Sequence, residues 1–336
     1  MSERRKRPRG PALLAAMAAG VLAIAGCTGP SAESPAPEGG GGGGGTDSQA
    51  PLDFAVISHG TEGDAFWNVV QNGAQDAGED LGVEVSYLAE GDPAAQAVLI
   101  DNAVAQGKTG IVVSMANPDA LQSSIEAAVR AGIPVITINS GGDRSVEFGA
   151  IAHVGQDEAI AGRAAGERLA QEGKKNILCV IHEAGNSGLN DRCDGAREGF
   201  GGGAVENLQV DINDPTAVEA RIRGALQTNP NVDGVLTLNS QVADRAVAAS
   251  ESAGSAAEVA TFDLNSEVVS AIQAGDIAFA VDQQQYQQGY LPIVMLKLYR
   301  ENGNTLGGGQ PVLTGPGFVD ESNADAVAEY VENATR

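Results

Sequence analysis

From residue 52 onward the chain alternates short apolar runs with longer segments of mixed polarity. The runs cover 54–58, 83–88, 110–114, 134–139, 176–181, 232–238, 259–262 and 277–281, and β-branched residues are frequent in them. Continuous runs of this kind suit strands buried on both faces. Between them residues fall at helical spacing, as at Leu121, Ile125, Ala128 and Val129, or at Ile160, Ala164, Glu167 and Leu169. Ala131, Gly132, Ile133 and Pro134 end one helix and open the next strand, with Gly at the C-cap and Pro where a helix cannot continue. The alternation predicts an α/β protein with parallel sheets and right-handed crossovers. About 285 residues follow position 51, the size at which one core stops growing, so two domains are expected.

The first 50 residues follow a different pattern. Residues 2–9 are basic and 11–25 are uncharged, mostly Ala and Leu, too short to span a bilayer. This is the order of an export signal. Ile24, Ala25, Gly26 and Cys27 resemble the bacterial lipobox, which predicts a signal peptide over 1–26 and a diacylglycerol on the Cys27 thiol. Residues 27–50 then read as a lipidated Cys followed by a Gly/Pro-rich tether, with an r.m.s. reach of roughly 25 Å. The expected location is outside the cell membrane, held to its outer face by acyl chains.

Charge narrows the partners. Taking the basic leader, a net +4, from a chain of net charge -24 leaves -28. Phosphate backbones and anionic lipid heads are repelled by such a chain, which excludes nucleic acid and electrostatic membrane binding. Cys179 falls in an expected strand and Cys193 at the start of the next helix, and export places both in an oxidising compartment, so a disulfide is expected.

In open α/β sheets ligands bind outside the carboxyl ends of the strands. The polar residues there are Ser58 and His59, Ser114 and Asn117, Asn139 and Ser140, His182 and Glu183, Asn239, Asp263 and Asn265, then Asp282 and Gln283. Planar amides and carboxylates each make two hydrogen bonds in one plane, which matches vicinal hydroxyls. Phe66 and Trp67 offer cover for the C–H face of a sugar ring, although neighbours on a helix point about 100° apart. His59, His153 and His182 are scattered, and Asp211, Asn213 and Asp214 lack the spacing and closing Glu of a calcium loop, so no metal is expected. No phosphate loop or nucleophile elbow occurs, no dinucleotide fingerprint follows the first strand, and the adjacent His182 and Glu183 read as a structural turn. Neither an enzyme nor a cofactor is expected.

Several separated blocks resemble the ribose-type periplasmic sugar-binding proteins: 58–74 with Asp64, Phe66 and Trp67, 131–139, 154–166 (VGQDEAIAGRAAG), 186–200 with Arg192, then Asn239, Phe262 and Asp263, and 281–290 (VDQQQYQQGY). The resemblance implies a periplasmic binding protein of type I, with two doubly wound parallel-sheet lobes joined by three hinge crossings. It divides the chain into 51–153 plus 284–311 and 154–283 plus 312–336. It implies a monomer that delivers a small neutral sugar or polyol to an ABC transporter permease, or presents it to a sensor kinase or chemoreceptor. The positions it carries over are Ser58, Asp64, Phe66 and Trp67 in the first lobe, Arg192, Ile212, Asn239 and Asp263 in the second, and Gln283 at the hinge. Asn139 and Ser140 stand where many relatives have an Asp-Arg pair, which points away from ribose toward another hydroxyl pattern. Arg192 and Asp263 are expected to form complementary donors and acceptors around adjacent hydroxyls.

Overall fold

A computed structural model describes residues 51–61 and 63–336; the expected leader, Cys27 and the tether lie outside the described residues. In chain order the elements are β1 (Asp53–Ser58), α1 (Ala65–Leu81), β2 (Glu84–Ala89), α2 (Pro93–Ala105), β3 (Gly110–Ser114), α3 (Pro118–Arg130), β4 (Val135–Ile138), α4 (Gly142–Ser145) and β5 (Ala152–Gly155). There follow α5 (Glu158–Gln171), β6 (Asn176–Ile181), α6 (Ser187–Phe200), β7 (Ala204–Gln209), α7 (Pro215–Thr228), β8 (Gly234–Thr237), α8 (Ser240–Ala253), β9 (Glu258–Phe262), α9 (Ser266–Ala274) and β10 (Ile277–Asp282). The chain ends with α10 (Gln285–Asn302), β11 (Val312–Leu313), β12 (Gly317–Asp320) and α11 (Ala324–Glu332).

Two sheets result, ordered β2-β1-β3-β4-β5-β11 and β7-β6-β8-β9-β10-β12, all parallel except β12, which runs antiparallel to β10. Each sheet carries a buried apolar cluster on both faces, which is why its inner strands read as unbroken apolar runs. Helices begin where the sequence places Asp or Asn: Asp64, Asp92, Asn117, Asp157, Asn186, Asp214, Asn239 and Asn265 each accept a backbone N–H of the helix they open.

The chain passes between the lobes at 156–157, at 283–284 and at 314–316. The first sheet takes in β5 to Gly155 and β11, two residues beyond the expected boundaries at 153 and 311. Helix α10 returns to the first lobe, where Tyr286 and Tyr290 bond to Asp76 and Asp80 of α1. A Cβ on Gly289 would lie 2.0 Å from the Val70 carbonyl oxygen, so α1 and α10 touch backbone to backbone.

Helices α5 and α6 meet in the same way. A Cβ on Gly162 would sit 2.1 Å from the Arg192 carbonyl oxygen, and one on Gly199 2.1 Å from that of Arg163. The inner face of α5 is therefore Glu158, Ala161, Gly162, Ala165, Gly166 and Leu169, not the face marked by Ile160 and Glu167; Ile160 is exposed. Small residues that permit close approach carry little apolar signal, which displaced the expected face. Cys179 of β6 and Cys193 of α6 form a disulfide, with Cα atoms 6.0 Å apart, and fasten α6 to its sheet.

Candidate functional site

The carboxyl ends of both sheets face one cavity of about 750 Å³. From the first lobe it is lined by His59, Asp64, Phe66 and Trp67 after β1 and by Asn139 and Ser140 after β4. From the second come His182, Glu183, Asn186 and Arg192 after β6, Ile212 after β7, Leu238 and Asn239 after β8, Asp263 after β9 and Gln283 after β10. Ten of the eleven residues expected to bind ligand thus share one wall-to-wall space. Ser58 is the exception: it is fully buried, its Oγ accepts from the Tyr87 hydroxyl at 3.0 Å, and it does not reach the cavity. As the last residue of β1 its side chain turns into the first lobe, and His59 after it takes the place facing the cleft.

The two lobes contribute at matching places. His59 follows the first strand of its sheet and His182 the first strand of the other; Asn139 and Asp263 each follow the fourth. Asn139 (φ 60°) and Asp263 (φ 70°) turn there through the left-handed region, which Asn and Asp tolerate better than other side-chain-bearing residues. Asp263 is not a helix cap, because Asn265 accepts from Val268 N and caps α9 itself. Its carboxylate receives Gln283 Nε2 at 2.6 Å, and Gln283 Oε1 in turn accepts from Asn139 Nδ2 at 3.3 Å and Gln288 Nε2 at 3.0 Å. One amide therefore links first lobe, hinge and second lobe.

Arg192 and Asp263 both line the cavity, and the Arg192 side chain is held by a neighbour. Its Nε donates to Glu158 Oε2 at 2.6 Å and its Nη2 to Glu158 Oε1 at 2.9 Å, while Nη1 reaches the Leu238 carbonyl at 3.1 Å. The guanidinium lies 4.7 Å over the Phe262 ring. The ion-pair partner of Arg192 is thus Glu158 of the neighbouring helix, because the glycine contact of α5 and α6 brings the two side chains together. Glu158 sits in a block whose motif was legible, but a pair formed across two helices leaves no spacing signal in the chain.

Burial sets the protonation of the cleft. It raises the Asp263 carboxyl to about 7 against the pull of Arg192, and raises Asp64 to about 6 although Phe66 N donates to it at 2.9 Å. It lowers His182 to about 3 and lowers His59 as well, so both imidazoles are neutral near pH 7. His59 Nδ1 lies 2.7 Å from Ser114 Oγ, and its ring meets the Trp67 indole edge-on at 4.7 Å. Its other nitrogen faces Asn186 of the opposite lobe at 3.5 Å. Ser140 Oγ reaches the same Asn186 at 3.2 Å, and Ser187 N donates to the Ala116 carbonyl at 3.0 Å, so the lobes are closed on one another. Phe66 and Trp67, set edge to face at 5.0 Å, are both nearly buried and both border the cavity. His59, His182 and Glu183 stand in the polar set after the strands but not among the expected binding residues, the adjacent His182 and Glu183 reading as a turn; the pairing of the two lobes brings all three to the cavity. Among the described residues no group of His, Cys, Asp and Glu is arranged to hold a metal ion, and no helix is long and apolar enough to cross a membrane.

Two doubly wound lobes closed over a polar cleft are the architecture of a solute-binding protein. The chain belongs to the periplasmic binding protein family, whose domain matches residues 54–304, and within it to the ribose-type sugar-binding proteins. It is 23% identical to the ribose import binding protein of Haemophilus influenzae over 258 residues, covering 74% of this chain and 86% of that protein. It is 26% identical to the xylose/arabinose-binding protein of Sulfolobus acidocaldarius over 292 residues, 80% of this chain and 70% of that one. A carbohydrate transporter protein of Acidothermus cellulolyticus 11B, solved with myo-inositol, superposes with a TM-score of 0.84 at 42% identity, covering 85% of this chain and all of that one. These relatives are sugar-binding components of transport systems and not enzymes.

Proposed function

We propose that this protein captures a neutral monosaccharide or sugar alcohol, a cyclic polyol such as an inositol foremost, and delivers it to an ABC permease while Cys27 tethers it to the outer face of the membrane. The observation that carries the reading is the ring of amides and carboxylates, Asn139, Gln283, Asp263, Asp64 and Asn239, closed by the Phe66–Trp67 wall. Carboxylates accept from ligand hydroxyls and the free amide of Asn239 donates, while the aromatic edge meets a C–H face. The absence of the Asp-Arg clamp at Asn139 and Ser140 favours a polyol over ribose, and the myo-inositol bound by the 42% identical relative supports the same choice.

A thermal-shift screen over pentoses, hexoses, linear polyols and inositols tests it, with uronates and sugar phosphates as anionic controls. A cognate ligand at about 100 times its Kd should stabilise by about 2.7 kcal/mol, with the ligand recovered unchanged. Stabilisation by anionic sugars alone, or turnover of the ligand, overturns the reading.

A further inference from the structure

We propose that Glu158 is a specificity-determining residue: by neutralising the cleft arginine and occupying its fork, it makes the pocket accept hydroxyls and reject anionic sugars. The inference rests on the reading of the ligand as a neutral polyol. Arg192 is the cation at the inner end of the cleft, where an unopposed guanidinium would bind a carboxylate or phosphate through two parallel hydrogen bonds. Glu158 already holds that geometry, with bonds of 2.6 and 2.9 Å to Nε and Nη2.

Glu158 does not border the cavity and is itself buried at 8% exposure, so its carboxylate is a fixed countercharge and not a ligand contact. Gln156, in the first hinge crossing, donates Nε2 to Glu158 Oε2 at 2.8 Å from behind and keeps it from turning away. The Gly162 contact fixes the distance between the two helices that carry the pair. Three of the five N–H groups of Arg192 are engaged, by Glu158 twice and by the Leu238 carbonyl, which leaves two for hydroxyl acceptors. Asp64 and Asp263 look into the same space, so an anion arriving beside Arg192 meets carboxylates; the other cation that lines the cavity is the exposed Arg221 of α7.

Titration calorimetry of the wild type and Glu158→Gln with myo-inositol and D-glucuronate as probes tests the role. Removing the countercharge should shift the ratio of the two affinities toward glucuronate by at least about tenfold, equal to 1.4 kcal/mol. Glu158→Asp, which retains the charge, should restore the wild-type ratio. A structural role alone would weaken both probes in proportion, and an unchanged ratio in folded Glu158→Gln overturns the proposal. A second measurement needs neither ligand nor a folded Glu158 variant: in the unliganded wild type the Arg192 Nε–H, identified in arginine-labelled NMR spectra by its loss in Arg192→Lys, should be protected from exchange. A rapidly exchanging Nε–H overturns the proposal. If the wild type binds neither probe, the ligand reading fails while the NMR result still decides whether the fork is occupied.

Discussion

At the scale of the residue, Asp263 carries the sharpest consequences. Ligand hydroxyls donating to its carboxylate make charge-assisted bonds, each worth about 1.5 to 3 kcal/mol, so Asp263→Ala should weaken ligand binding at least about tenfold in calorimetry. The melting temperature should not fall, because Asn265 and not Asp263 caps α9. Burial raises the group from 3.8 to about 7, so the native state binds its proton more tightly than the unfolded state. Stability is lost on this account as pH rises through that interval, and Asp263→Asn should gain more stability at about pH 8 than at about pH 5 in denaturant titrations. Ligand has the opposite sign. Its hydroxyls favour the ionised form, so binding releases a proton and affinity should grow from about pH 5 to about pH 8; a flat affinity profile would remove Asp263 from the ligand contacts. Position after a strand was enough to find Asp263, Asn239 and Asn139 in the sequence. It failed for Ser58 because a strand's last side chain can face either its own core or the cleft, and it undervalued His59 and His182 because each looks ordinary until the two lobes are superimposed in mind.

At the scale of the element, the close contact of α5 with α6 governs both stability and the site. Gly162→Ala would push a methyl into the Arg192 backbone, and overpacking of this kind costs about 1 to 3 kcal/mol. Because the displaced backbone carries Arg192, ligand affinity should fall in the same variant. Gly224 in α7 has open space around its Cβ position, so Gly224→Ala should instead stabilise by about 0.5 to 1 kcal/mol with affinity unchanged, as denaturant titration would register. Replacing Cys179 and Cys193 by Ala should cost about 3 kcal/mol, the loop-closure value for the 14-residue separation, and two titratable thiols in the untreated protein would refute the bond. The buried strands were legible because apolar runs survive any register. Strand β7, with its exposed Ala204–Gln209, and β5, whose four residues Ala-His-Val-Gly include a polar ring and a glycine and so form no apolar run, were not, since an edge strand need bury neither face and an interrupted one leaves no signal.

For the whole molecule, the division into two lobes was legible from length and alternation, and the hinge only through family resemblance, since nothing local in 156–157, 283–284 or 314–316 announces a crossing. The proposed anchor makes a separate prediction: Cys27→Ala should leave folding and ligand affinity intact while moving the protein from the membrane fraction to the soluble one, and unchanged fractionation would refute the lipobox. The three crossings also act as a mechanical linkage. Three straps side by side let two bodies swing about a common line but resist torsion, because twisting lengthens at least one of them. The lobes are therefore left with close to a single degree of freedom, and a protease that cuts one strap, at 314–316 for example, leaves the other two to keep the halves joined and in alignment.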